Sequence, residues 1–382
     1  YHNEALEIKK NIVGEKHIHY VLTLVSLADV YEKMGKYDRA LDIQNKALEI
    51  RRELFGEINE QVSDSLVNLG RISLKKGEIT KAQGFFMQAL IMNKEIIVAA
   101  GLKVRGYGEN IRLMAEACAE AGELDKTEQF CSNLAEYRRS EYGDSHPKYA
   151  AALYDGGAIL MKKGWYAQAE KYMEKAAEIT ELKMGMNTPF CQRSIYAWGK
   201  TLYENKKYSA ASDVLKKAGS VWKKYSTDTD TLVKIMFMQA KTQYMLGFPQ
   251  KAAEITLRAS GIASRNAKDT YDDLMTGEMT DYARVMLKGN DAKKAFDELE
   301  KIRTTACKKD IKRDYYRVSS EAAYAAGNYA AASDRAEKAY NEDENEADRT
   351  QDGIMNAKAL TALNRTDESG GVLDGIKKTL GE

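Results

Sequence analysis

Four stretches of the chain carry the same order of apolar and polar positions: "LADVYEKMGKYDRALDIQNKALEI", "LGRISLKKGEITKAQGFFMQALIM", "GGAILMKKGWYAQAEKYMEKAAEI" and "WGKTLYENKKYSAASDVLKKAGSV". In each, apolar residues recur at helical spacing, a short break containing Gly or Lys follows, and a second helical pattern begins. Two residues after the break stands Tyr37, Ile79, Tyr166 or Tyr208. A small residue stands five after it (Ala40, Ala82, Ala169, Ala211), and another seven further on (Ala47, Ala89, Ala176, Ala218). Two antiparallel helices joined by a tight turn approach closely only where side chains are small, and larger residues fill the space around them. A glycine at the break supplies the left-handed end of the first helix.

The break recurs at Gly35, Gly77, Gly122, Gly164, Lys206, Gly247, Gly289, Gly327 and Asn364, at intervals of 37 to 45 residues. The seventh unit has one extra residue before Ala295, and the ninth has Ser369 in place of Ala, with Gly370 and Gly371 inside its second helix. One 42-residue interval before Ala47-Leu48 lies Ala5-Leu6, and "EALEIKK" aligns with "KALEIRR". The chain is thus expected to open in the second helix of a unit whose first helix is missing, as a piece of a longer protein. A hairpin cannot bury its apolar face alone, so the units are expected to stack.

These units resemble the tetratricopeptide repeat, which carries small residues at its eighth, twentieth and twenty-seventh positions. Here those are Ala28, Ala40 and Ala47, then Gly70, Ala82 and Ala89. The spacing near 42 is similar to the long variety found in kinesin light chains, as is the turn "YGDSHPKYA"; "VGEKHIHYV" and "FGEINEQVS" keep part of that turn. The resemblance implies an all-α, right-handed superhelical α-solenoid of about nine helix-turn-helix repeats. Residues 1–19 would be a second helix and turn, 20–268 six clear repeats, and 269–382 three divergent repeats, the last a cap.

The resemblance further implies that first helices line a concave groove. By the family pattern its candidate partner-binding residues are Asn68, Arg71, Tyr154, Arg193, Tyr196, Lys200, Tyr203, Lys234, Phe237, Lys241 and Tyr244. Asn68 stands where such arrays often hydrogen-bond a ligand backbone. Arg193 with Lys200, and Lys234 with Lys241, are seven apart and share a helix face. Aromatic walls with four cations would favour an acidic peptide or protein with an apolar anchor. The alternative is an ordinary inner surface, on which long basic side chains cover apolar area.

Composition narrows the function. Lys+Arg number 58 against 57 Asp+Glu, which argues against a general nucleic-acid or membrane-surface role. No apolar run spans a bilayer, no signal peptide is visible, and a cytoplasmic location is expected unless a leader lies on the missing N-terminal side. Cys118, Cys131, Cys191 and Cys307 show no metal spacing and read as core thiols, a Cys118–Cys131 disulfide being the alternative. His2, His17, His19 and His146 lie at the N-terminus or in turns, so neither a metal nor a catalytic site is indicated. No phosphate-binding loop occurs, and no cofactor is implied. The acidic run 341–348 reads as a solvent-facing linker.

The expected function is a non-catalytic protein-interaction scaffold. The alternative is the sensing or regulatory region of a larger effector enzyme, such as a caspase-like protease. Helical-repeat RNA recognition is disfavoured, because such repeats are nearer 35 residues and would need a basic groove.

Overall fold

A computed structural model describes residues 2–101, 103–266, 271–302, 304, 307–343 and 345–380. Among the described residues there are nineteen α-helices and no strand. They fall into two compact units, Tyr1–Ser194 and Ile195–Glu382. The expected boundary at 268–269 lies outside the described residues.

The first unit holds α1 (His2–Val13), then the hairpins α2 (Ile18–Lys33) with α3 (Tyr37–Phe55), α4 (Glu60–Lys76) with α5 (Ile79–Ala100), α6 (Tyr107–Glu120) with α7 (Leu124–Tyr142), and α8 (Pro147–Lys162) with α9 (Tyr166–Met184). Helix α10 (Pro189–Glu204) begins in this unit and ends in the next. The second unit continues with α11 (Tyr208–Tyr225), α12 (Thr229–Met245), α13 (Pro249–Asn266), α14 (Tyr271–Lys288) and α15 (Ala292–Leu299). It ends with α16 (Lys309–Ala325), α17 (Tyr329–Glu342), α18 (Glu346–Ala362) and α19 (Thr366–Leu380). Consecutive helices pack on one another from α1 to α9 and from α11 to α19.

One turn closes all nine hairpins. The residue at the break is left-handed, and the next backbone N–H donates to the carbonyl five residues back, as in Lys36 to Tyr31 (2.9 Å) and Arg365 to Leu360 (2.9 Å). Lys206, Asn290 and Asn364 adopt this geometry without being glycine. The seventh break is therefore Asn290 (φ 59°), not Gly289, and Asp291 N–H donates to Met286 (3.0 Å). Counted from Asn290, Ala295 is five residues on like its counterparts, and the apparent extra residue disappears.

The small residues sit where the helices cross. Ala40, Ala82, Ala169, Ala211, Ala252, Ala295 and Ala332 have no exposed surface. Ser369 fills that place in the last hairpin by donating its hydroxyl to the Ala357 carbonyl (2.9 Å). Across the crossing, a Cβ on Gly70 would lie 2.5 Å from the Phe86 ring, and one on Gly199 would lie 2.8 Å from Leu215. Phe86 and Leu215 each stand four residues after the crossing alanine, so glycine on one helix accommodates a large side chain on the other.

The turns between hairpins are built from helix caps. In α2 and α8 the Nδ1 of His17 and His146 accepts the N–H two residues on (3.2 and 3.1 Å); in α4 Asn59 Oδ1 does the same (2.8 Å). Each capping residue follows a positive-φ glycine by three positions: Gly14, Gly56 and Gly143. The histidines are thus structural acceptors, and Asn59 is their equivalent in the turn that lacks His.

Cys118, Cys131 and Cys191 are buried, Cys307 is half-buried, and none of the four is in a disulfide. Burial pushes Cys131 up to about 12 and Cys118 to about 11, so neither is poised as a nucleophile. The acidic run 341–348 is not wholly solvent-facing. The Asp343 side chain is fully buried and accepts from Arg317 (2.7 Å), and Asn345 caps α18.

Two tests follow from this packing. Ala40→Leu and Ala82→Leu should each cost about 1–3 kcal/mol by overpacking the crossing. Gly371→Ala, where a Cβ meets open space, should stabilise by about 0.5–1 kcal/mol through helix propensity; urea unfolding would expose an error in either sign. In hydrogen exchange, residues 350–380 should lose protection before 150–220, because α19 contains three glycines with nothing packed over them; equal protection would contradict this.

Candidate functional site

In the first unit the expected residues lie on first helices, and most are already engaged. Arg71 on α4 reaches back to α2, with Nη2 2.9 Å from Asp29 and 3.2 Å from Glu32. Lys75 joins Glu32 at 2.7 Å, and the Glu32 side chain is only 2 % exposed. Arg71 is therefore a tie between repeats rather than a free cation. Glu120 on α6 similarly meets Lys162 (2.8 Å) and Lys163 (2.5 Å), which hold its carboxyl below the usual range. Arg112 is clasped by Glu109 and Glu116 of its own helix. These pairs border a trough of about 580 Å³ whose apolar surface comes from Leu74, Leu113 and Ile159.

Asn68 opens on a smaller polar pocket of about 370 Å³, shared with Asp64, Arg51, Asn93, Arg105 and Glu109. Arg51 donates through Nη1 to the Gln61 carbonyl (2.9 Å) and the Ser65 hydroxyl (2.8 Å). Its Nε and the Asn93 Oδ1 are buried without a hydrogen-bond partner. Arg51 and Asn93 occupy equivalent places 42 residues apart near the ends of second helices, outside the first-helix positions. Tyr154 is half-buried, edge-on to Phe190 at 5.7 Å, and Arg193 is exposed.

In the second unit the expected residues converge on two carboxylates. Glu278 acts electrostatically on the Tyr196 hydroxyl and is itself acted on by Lys234, Asp281 acts on the Tyr203 hydroxyl, and Lys241 lies 3.3 Å from Glu278 and 3.5 Å from Asp281. Burial raises the Glu278 carboxyl above its ordinary range, opposed by Lys241, and burial also raises the Tyr196 and Tyr203 hydroxyls. Lys200 and Lys234 are exposed and make no ion pair among the described residues.

Two expected groove residues are displaced by this arrangement. Phe237 has no exposed surface and belongs to the core with Met275, Met279 and Tyr282. Lys241 is 6 % exposed and its charge is matched by Glu278 and Asp281. The cause is shared: α14 packs directly on α12 and closes over both positions. Tyr244, half-buried, contacts Asp291 (3.4 Å) and sits edge-on to Tyr282. Glu278 and Asp281 were not among the expected residues, since nothing local marks an acidic pair as the partner of a lysine 37–40 residues earlier.

Among the described residues no three His, Cys, Asp or Glu are grouped to hold a metal, and no helix is long and apolar enough to cross a membrane. His17 and His19 lie 5.1 Å apart between ring centroids, with His17 Nδ1 occupied as a cap.

Compared with known proteins, the mouse (Mus musculus) amyloid protein-binding protein 2 is 28 % identical over 88 residues. That match covers 23 % of this chain, and the chain spans only 15 % of that relative's length. Among solved structures, BtubC (BKLC) from P. vanneervenii is 17 % identical, with 60 % of this chain and 91 % of that one aligned at a TM-score of 0.48. A tetratricopeptide repeat protein from Parabacteroides merdae is 14 % identical, with 89 % and 98 % aligned at a TM-score of 0.45. The tetratricopeptide repeat family model matches residues 1–53, 20–95 and 150–181. The hairpin seen in those residues, with its left-handed break and small buried crossing residue, is built again at the remaining breaks, with Thr127 and Ser369 standing in place of alanine. Residues 1–95 and 150–181 thus match tetratricopeptide repeats, and the remaining breaks build hairpins of the same geometry.

Proposed function

We propose that the chain is a non-catalytic scaffold that takes an acidic peptide or protein segment with an apolar anchor on the first-helix face of its second unit. The observation that carries this is the pair Lys200 and Lys234, exposed and without ion pairs, beside the half-buried rings of Tyr196 and Tyr203. Elsewhere on first helices the cations are mostly matched: Arg71, Lys75, Arg112, Lys162, Lys163, Lys241 and Arg317 all have carboxylate partners. Unmatched charge next to apolar ring surface favours a ligand bringing both carboxylates and an apolar side chain. The matching of Lys241 narrows the site to Lys200 and Lys234 with Tyr196 and Tyr203. The repeat family and the protein-binding name of the mouse relative support a protein partner.

Partners captured on the immobilised chain and mapped by cross-linking should contact Tyr196, Lys200 or Lys234. The variant Lys200→Glu/Lys234→Glu should weaken binding of those partners about tenfold or more while circular dichroism is unchanged. Undiminished affinity in a folded double variant would rule this site out.

A further inference from the structure

The second helices of the second unit form a separate trough. Its walls are α11 and α13, its floor is α12, and its volume is about 690 Å³. Each helix contributes one stripe: residues 212, 216, 219, 220 and 223 from α11; 232, 236, 239 and 243 from α12; 251, 255, 258, 261 and 262 from α13. The α11 stripe spans eleven residue steps, roughly 16 Å of helix at 1.5 Å per residue. That length matches about three turns of a docked helix.

The chemistry of the trough is one-sided. Lys216 and Lys223 border it on one wall, and Lys251 and Arg258 on the other. All four are exposed and none makes an ion pair among the described residues. Among the described residues no carboxylate lines the trough; Asp213 and Glu254 lie on neighbouring faces of the same helices. Between the cations the surface is apolar, with Leu232, Met236 and Ile255, and Leu257 is 75 % exposed at the edge. The floor amides are partly engaged: Gln239 donates to the Leu215 carbonyl (2.7 Å) and Gln243 to the Ser212 hydroxyl (2.8 Å). Gly219 and Gly261 stand on opposite walls and keep the trough open; a Cβ on Gly261 would meet nothing within 4 Å. The corresponding trough of the first unit, between α5 and α7, carries Lys94 together with Glu136. The basic rim is thus a property of this trough and not of the repeat.

We propose that the α11–α13 trough is a second docking site, whose occupant is an acidic amphipathic helix of a partner protein. Its apolar stripe would lie on α12, and its flanking carboxylates would meet Lys216 and Lys223 on one side and Lys251 and Arg258 on the other. A lining without aromatic rings offers nothing on which nucleic-acid bases could stack. A trough recessed between two helices is equally unsuited to a flat anionic membrane. The apolar floor and basic rim together match a helix with the reverse pattern. The site shares α12 with the proposed first-helix site but uses other residues of it, Leu232, Met236, Gln239 and Gln243 rather than Lys234, and stands or falls independently of it.

The test uses the whole chain and a fluorescein-labelled fourteen-residue model helix with leucines on one stripe and glutamates on both flanks. Fluorescence anisotropy should show salt-sensitive binding, at least about tenfold tighter than for the same peptide with Glu→Lys or Leu→Ser exchanges. Lys216→Glu/Arg258→Glu should weaken binding by a similar factor. So should Gly261→Leu, which fills the trough without altering charge, while Lys200→Glu/Lys234→Glu should leave it unchanged. Circular dichroism and a urea midpoint for each variant keep a folding defect from passing as a binding defect. The proposal is overturned by failure of the model helix to bind, by equal binding of the Leu→Ser peptide, or by undiminished binding to folded Gly261→Leu. Displacement of the helix by single-stranded RNA or phosphatidylserine vesicles at comparable concentration would likewise overturn it.

Discussion

How closely two helices of a hairpin can cross is the constraint on which the rest of this molecule depends. At each break a left-handed residue and a hydrogen bond five residues back turn the chain sharply. Five residues later a small, fully buried side chain lets the second helix lie against the first. Glycines such as Gly70 and Gly199 deepen the contact so far that a single methyl group would collide with Phe86 or Leu215. Close packing at this density tolerates little added volume, which is why alanine, glycine, threonine or serine appears at these places and nothing larger does.

Once the crossing is set, the remaining faces acquire defined tasks. First helices, with their buried sides committed, present polar residues whose partners are supplied by the next repeat. Asp29 with Arg71 and Glu120 with Lys162 are each 42 residues apart, so the repeat length itself brings opposite charges together. Exposed pairs of this kind contribute about 0–1 kcal/mol each. Their larger effect is to leave few cations unmatched. The exception in strength is Arg317, which meets Asp352 through two bonds and also holds the buried Asp343. Against this background the unmatched lysines of the second unit, Lys200 and Lys234 on first helices and Lys216 with Lys223 on a second helix, are the places where a partner's charge would be accepted.

Much of the fold could be read from residue order alone. Eight of the nine breaks fall at the residue that spacing indicates, and the ninth moves by one because Asn290 takes the left-handed geometry in place of its neighbouring glycine. Spacing could not choose between Gly289 and Asn290, since both tolerate a positive φ. The turn histidines were recognisable as part of a turn, but their role as acceptors of the helix N–H depends on backbone geometry. The candidate site was less legible. Phe237 and Lys241 hold the same repeat positions as Tyr196 and Lys200, so position within a repeat assigns them to the same face. Direct packing of α14 on α12 buries the first pair and leaves Lys200 exposed.

By itself the sequence determined the number of hairpins, the place of eight of the nine turns and the small residues at each crossing. These are local matters, decided by chain stiffness, helix periodicity and the volume of one side chain against its neighbour. Only the tertiary structure decided which charged residues are matched and which stay free. That depends on how closely successive first helices approach, a distance that varies from repeat to repeat while the repeat pattern stays the same. The same approach joined Lys241 to Glu278 and Asp281 and drew Phe237 into the core. It decided likewise that the spacing of α11 and α13 leaves an apolar floor open between four lysine and arginine side chains.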